Sequence, residues 1–161
     1  MNNILFIITG SIAASRCKEI ITLLHNKEVK ISCILTKEAK KYLKISDIKK
    51  LLKNRIFTDE DEKKNKMLHI NLSRDNDMIV VCPATANSIA KFANGYGDNL
   101  SSNTLLASNK KILFVPAMNS FMWHNKINQK NVRLLKDSGH EFIGPKVGNL
   151  KCGEFGLGRI D

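Results

Sequence analysis

Three short runs of the chain, Ile4 to Thr9, Met78 to Cys82 and Ile112 to Val115, are apolar at consecutive rather than alternate positions, and Val29 to Leu35 repeats the β-type pattern. A strand with two apolar faces needs cover on both, and a parallel sheet flanked by helices supplies it. Helix-compatible segments separate the runs, from Ser11 to about Asn26, Ala86 to Ala93, Ser101 to Ser108 and Lys126 to Ser138. This alternation predicts an α/β fold with a doubly wound, mainly parallel sheet and helices on both faces. A length of 161 residues suits one such core and is too short for two. No repeat, low-complexity tract or linker interrupts it, so residues 1–161 are expected to form a single domain. The charge-dense stretch from Lys49 to Lys66 reads as a surface helix plus loop with no catalytic meaning.

The charge balance narrows the partners. A net charge of +11, from 26 Lys and Arg against 15 Asp and Glu, marks either a solvated lysine-rich surface or attraction to phosphates and other anions. The lysines are spread along the chain and aromatic residues are only 6%, which favours the solvated surface and argues against a nucleic-acid partner. No stretch approaches the roughly 18 apolar residues of a membrane span. The apolar opening from Asn3 to Gly10 lacks the basic flank and small-residue cleavage site of a signal peptide. Cys17, Cys33, Cys82 and Cys152 are far apart and have no metal-ligand spacing, so no metal is expected and a reducing cytoplasm fits best.

Ligands of open parallel sheets bind outside the carboxyl ends of the strands, so the residues after each run carry the functional information. Gly10-Ser11-Ile12-Ala13-Ala14 follows the first run; its backbone N–H groups and the Ser11 hydroxyl suit a phosphate, and they equally suit a plain capped turn. Thr36 follows the second, Pro83-Ala84-Thr85-Ala86-Asn87 the third, and Pro116-Ala117-Met118-Asn119 the fourth. Small, hydroxyl and amide side chains therefore gather on one rim. Asp98-Asn99-Leu100-Ser101-Ser102-Asn103-Thr104 adds a second such cluster, readable as a helix N-cap by Ser101 or Ser102 or as a second anion grip. The G-x-G-x-x-G fingerprint is absent, which disfavours a dinucleotide.

Pro116-Ala117-Met118-Asn119-Ser120-Phe121-Met122-Trp123 resembles the P-x-M-N-x-x-M-W motif of the homo-oligomeric flavin-containing cysteine decarboxylases. Gly10 to Ala14 resembles that family's flavin-phosphate turn, His69-Ile70-Asn71-Leu72 the segment with its active-site histidine, and Pro83 to Lys91 with Asp98 to Leu100 its flavin-contacting loops. Lys151-Cys152-Gly153-Glu154-Phe155-Gly156-Leu157-Gly158-Arg159 is similar to the A-C-G-x-x-G-x-G-R substrate flap of the phosphopantothenoylcysteine branch, and its three glycines and lack of periodicity fit a mobile lid over about 145–161. Lys151 departs from the usual alanine, Ile160 from methionine, and Ser15-Arg16 from Tyr-Lys.

The resemblance implies a Rossmann-like flavoprotein fold and FMN as cofactor, contacted by Gly10, Ser11, Ile12, Thr36, Ala84, Thr85, Asn87, Ser101, Ser102 and Thr104. It implies decarboxylation of 4'-phosphopantothenoylcysteine, a small phosphorylated, cysteine-containing substrate, to 4'-phosphopantetheine in coenzyme A biosynthesis. A cysteine α-carbon has no electron sink; oxidation to a thioaldehyde creates one, carbon dioxide leaves, and the enethiol is then reduced. His69 is the implied base, a role that contributes roughly 10²–10⁴-fold, although a lone histidine before a short apolar run is more often structural. Asn119 is the implied grip on the substrate carboxylate, against a plain turn residue. Cys152 is the implied proton donor of the reductive half. Met122, Gly153 and Arg159 are implied to contact the substrate, and Trp123 reads equally well as core. The family sets FMN between subunits, so a homotrimer or a higher multiple of three is expected. In bacteria such a domain is often fused to a ligase domain that makes its substrate. A peptidyl-cysteine decarboxylase and a non-catalytic FMN-binding regulator are the alternatives, the first disfavoured by Cys152 and the second by His69, Asn119 and Cys152 occurring together.

Overall fold

The computed structural model describes residues 3–160. Six strands form one parallel sheet: β1 (Asn3–Ile8), β2 (Lys30–Leu35), β3 (Ile56–Phe57), β4 (Met78–Ala84), β5 (Ile112–Pro116) and β6 (Glu141–Phe142), in the order β3-β2-β1-β4-β5-β6. β1 is central, with Phe6 level with Cys33 of β2 on one side and with Val80 of β4 on the other. Because strand side chains alternate in direction, the continuous apolar runs split into two cores. Phe6, Ile8, Ile31, Cys33 and Leu35 face one way, onto α1 (Cys17–His25) and α2 (Ile45–Leu52) through Ile21, Ile48 and Leu52. Leu5, Ile7, Ile79, Val81 and Phe114 face the other. There they meet Leu68 and Leu72 of α4 (Leu68–Arg74), Ile89 of α5 (Ala86–Ala93), Leu105 of α6 (Leu100–Leu106) and Val132 and Leu135 of α8 (Lys126–Asp137). The expected doubly wound architecture is the observed one.

Chain order reverses between β1 and β4, which opens a crevice at their carboxyl ends. Thr9 ties its two walls together: its hydroxyl donates to the Pro83 carbonyl at 2.5 Å and accepts from the Thr85 N–H at 3.3 Å. The segment after Ser11 departs from the expected single helix, running as a 3-10 turn over Ile12–Arg16 before α1 begins. The charge-dense stretch holds α2, the two-residue β3 and α3 (Asp59–Lys64). The glycine-rich segment near the end is a two-stranded antiparallel hairpin, β7 (Lys146–Asn149) and β8 (Phe155–Arg159). Among the described residues no helix is long and apolar enough to cross a membrane.

Candidate functional site

A cleft of about 700 Å³ lies at the crevice, in the range of small-molecule sites. Three capped chain turns converge on it. The Ser11 hydroxyl accepts from Ala13 N–H at 3.3 Å. Thr85 Oγ1 accepts from Ser88 N–H at 3.1 Å, closing the start of α5. Asn99 Oδ1 accepts from Ser102 N–H at 2.8 Å while Ser102 Oγ accepts from Asn99 N–H at 3.1 Å, a reciprocal capping box at the start of α6. The cap of α6 is therefore Asn99, with Ser102 answering it, rather than Ser101 or Ser102.

Gly10, Ser11, Ile12, Thr36, Thr85, Asn87, Ser101, Ser102 and Met122 all line this cleft. Thr36 is fixed by donating to the Ile8 carbonyl at 3.1 Å. Ala84 and Thr104 do not line it: Ala84 is fully buried under the sheet edge with its carbonyl accepting from Ala117 N–H, and Thr104 turns its hydroxyl inward to the Leu100 carbonyl at 2.7 Å. Lys91 reaches the cleft and pairs at 2.5 Å with Asp98, whose carboxyl is held below its usual range by that hydrogen bond.

A second cleft of about 640 Å³ adjoins the first, sharing Ser11, Ile12, Ala117 and Met118 with it. Its far wall is the hairpin. β8 lies so close to the strand-to-helix loop after β5 that Met118 N–H donates to the Gly158 carbonyl at 3.1 Å, and a Cβ on Gly158 would stand 2.0 Å from the Met118 carbonyl oxygen. The packing brings Asn119 and Cys152 into the same cleft. Asn119 caps α7 (Ser120–His124), its Oδ1 accepting from Phe121 N–H at 2.8 Å and Met122 N–H at 3.4 Å. With Oδ1 committed, Nδ2 faces the hairpin, 3.7 Å from Cys152 Sγ and in hydrogen-bond contact with Glu154. Arg16, Lys151 and Arg159 line the same cleft. Gly153 shapes the hairpin turn, at φ +86°, and lines neither cleft.

His69 also lines neither cleft. It sits partly buried on α4, with Nδ1 2.8 Å from Glu62 Oε1, the oxygen standing off the ring's N–H line. Glu62 belongs to the acidic helix α3, as does Asp59, which accepts from Leu100 N–H at 2.9 Å and lines the first cleft. The segment read as a surface helix plus loop without catalytic meaning thus braces α6 and stands against the candidate histidine. One chain brings Asn119 and Cys152 together and leaves His69 apart.

An open parallel sheet with a hydroxyl- and amide-rimmed crevice at its switch point defines a nucleotide- or flavin-binding α/β protein. The flavoprotein family model matches residues 1–161, and the chain belongs to that family. It is 35% identical over 155 residues to the coenzyme A biosynthesis bifunctional protein CoaBC of Haemophilus influenzae, covering 95% of this chain and 39% of that protein. It thus spans about two fifths of the bifunctional relatives it matches. It is 32% identical over 161 residues to a probable phosphopantothenoylcysteine decarboxylase of Streptococcus mutans, covering 98% of this chain and 90% of that one. Among solved structures it superposes with a TM-score of 0.87 and 29% identity on a cysteine-to-serine variant of a PPC decarboxylase complexed with pantothenoylaminoethenethiol, over 98% of this chain and 90% of that one.

Proposed function

We propose that this chain is an FMN-dependent decarboxylase converting 4'-phosphopantothenoylcysteine to 4'-phosphopantetheine in coenzyme A biosynthesis. The observation that carries the reading is the pair of adjoining clefts meeting at Met118, with the Asn119 amide and the Cys152 thiol at their junction with the hairpin. The first cleft fits a flavin mononucleotide: hydroxyls and N–H groups at the turns suit a phosphate, and Met118, Phe92 and Leu105 give an apolar wall for a ring system. When bound, FMN supplies reversible two-electron chemistry at the thiol-bearing carbon.

The protein's residues supply the rest. Asn119 Nδ2 donates to the substrate carboxylate without adding a positive charge that would hold it in the ground state. Cys152 delivers a proton to carbon once carbon dioxide has left. Arg16, Lys151 and Arg159 suit the phosphate end of the substrate. His69 is the base, and its separation from Asn119 and Cys152 within one chain favours a homotrimer, or a multiple of three, in which the histidine of one copy completes the site of the next. Exposed Phe121 and Ile127, 79% and 74% accessible, are apolar side chains that such an assembly would cover. Residues 1–161 act as one domain with the hairpin as a substrate flap over about 145–161. The buried thiols of Cys17, Cys33 and Cys82 accord with a cytoplasmic setting. Incubation of yellow, flavin-loaded protein with 4'-phosphopantothenoylcysteine should yield 4'-phosphopantetheine by mass. Turnover of a peptide ending in cysteine instead, or a flavin-loaded protein with neither activity, would refute the assignment.

A further inference from the structure

Glu154 was not among the residues the sequence singled out, yet two candidate site side chains meet on it. Its Oε2 accepts from Asn119 Nδ2 and lies 3.6 Å from Cys152 Sγ, with the thiol as donor. The arrangement is built into the turn. Leu150 N–H donates to the Glu154 carbonyl at 2.7 Å and Gly153 N–H to the Leu150 carbonyl at 3.0 Å, which closes the hairpin tip and directs residues 152 and 154 to the same side. The Asn119 amide cannot turn away, because its oxygen is held by two N–H groups of α7. Its one outward donor group therefore rests on a carboxylate supplied by the chain itself.

We infer that Glu154 is a positioning and specificity residue: its carboxylate occupies the subsite at Asn119 between turnovers, and the carboxylate of the substrate takes its place. The inference rests on the carboxylate-binding role proposed for Asn119. Two carboxylates on one amide repel, so substrate entry requires Glu154 to leave Nδ2. Once the product has left and Cys152 has regained its proton, the same side chain returns to the amide and again accepts from the thiol, leaving no unpaired donor in the emptied subsite. A ligand with a carboxylate competes with Glu154, and a ligand without one does not. Glu154 is exposed, so its replacement leaves the fold intact.

The test uses two inert ligands that differ only in the carboxylate: 4'-phosphopantothenoylalanine, which has no thiol to oxidise, and the corresponding ethylamide. Each is titrated into flavin-loaded parent and into Glu154→Gln. Removing the charge should tighten the alanine ligand by about fivefold to tenfold, the difference between a charged and a neutral hydrogen-bond partner. The ethylamide should stay within about twofold. A merely structural role would move both ligands together, and that result, or no shift in either, would overturn the inference. A parent that binds neither ligand would overturn it as well. Failure of the decarboxylase reading looks different: the alanine ligand shows the Glu154-dependent shift while 4'-phosphopantothenoylcysteine releases no carbon dioxide.

Discussion

Gly158→Ala should undock the hairpin from the site while leaving the rest of the fold in place. The added Cβ would stand 2.0 Å from the Met118 carbonyl oxygen, a backbone atom that cannot rotate aside. Either β8 lifts or the loop after β5 moves, and both break the 3.1 Å hydrogen bond from Met118 N–H to the Gly158 carbonyl. Overpacking costs about 1–3 kcal/mol and the lost hydrogen bond about 1 kcal/mol, so docking weakens by about 2–4 kcal/mol. That is roughly a 30- to 1,000-fold shift toward the undocked flap. Hydrogen exchange at the Met118 amide reads the contact directly: its protection should collapse. Turnover should fall at least about tenfold, because Cys152, Lys151 and Arg159 all arrive on the hairpin. Flavin affinity should be unchanged where β8 is what lifts, since no hairpin residue lines the first cleft, and should fall where the loop after β5 moves, since Ala117 and Met118 line it. Gly153→Ala is the control. At φ +86° with nothing within 4 Å of its added Cβ, it carries a backbone penalty of about 1–2 kcal/mol and no collision, so its effect on exchange at Met118 should be much smaller. Retained Met118 protection together with parental turnover in Gly158→Ala would refute the claim that this close approach seats the flap.

Cys152→Ser should release carbon dioxide and accumulate the enethiol, because a serine hydroxyl is a far weaker acid than a thiol; product formation at the parental rate, followed by mass, would reduce Cys152 to a flap residue. Asn119→Asp should keep the cap of α7, since aspartate caps as well as asparagine, yet lose turnover because a donor becomes a second repelling carboxylate; thermal melting and rate assays separate the two effects. Stability should decline in mildly acid solution through His140. Burial holds its pKa below the ordinary histidine value, and its Nδ1 accepts from Ile112 N–H at 3.2 Å, so the folded state prefers the neutral ring. The unfolded chain binds the proton first, and this contribution is complete above about pH 6.5 and lost as pH falls through the folded-state value. Urea midpoints at several pH values should show that slope in the parent and a flatter one in His140→Gln.

Three of the four strands read from the sequence were legible because a strand covered on both faces writes an uninterrupted apolar run, and β2, with Lys30 exposed and Ser32 within it, was legible from its β-type residues. β3 and β6, each two residues long, carry no such run and were missed. The hairpin escaped for another reason: three glycines in Lys151 to Arg159 erase the alternation that marks a strand, although Gly158 is needed because β8 runs against a carbonyl. At the site, the paired alternatives of cap or ligand group turned out not to compete. Ser11 caps a turn and lines the cleft, and Asn119 caps with its oxygen while offering its nitrogen. Glu154, Asp59 and Glu62 carried no sequence signal, since their importance lies in contacts such as Glu62 to His69 and Asp59 to Leu100 that join separate helices. Ala84 and Thr104 show the converse. They lie on the right rim in sequence, but one sits under the sheet edge and the other on the inward face of α6.

His69 poses the remaining question, because within one chain it faces Glu62 rather than Asn119 and Cys152. If the histidine of one copy completes the cleft of its neighbour, two inactive variants should rescue each other. His69→Asn retains a sound Asn119 and Cys152, and Asn119→Asp retains a sound His69. Each variant alone should bind flavin and show no turnover. Unfolded together in equal amounts and reassembled, they should form mixed assemblies, trimers on the proposed reading, in which a given cleft is competent only when its own chain is the histidine variant and the chain that reaches into it is the other. Random assembly makes that arrangement about one cleft in four, so about a quarter of parental activity should return. Were the histidine instead to act within its own chain, no mixed trimer would contain a competent cleft and activity would stay at the level of the separate variants. Flavin absorbance of the mixture guards against a trivial loss, since full flavin loading with no recovered turnover would refute completion of the cleft by a neighbour, whereas parental turnover in His69→Asn alone would assign His69 to bracing α4 against α3.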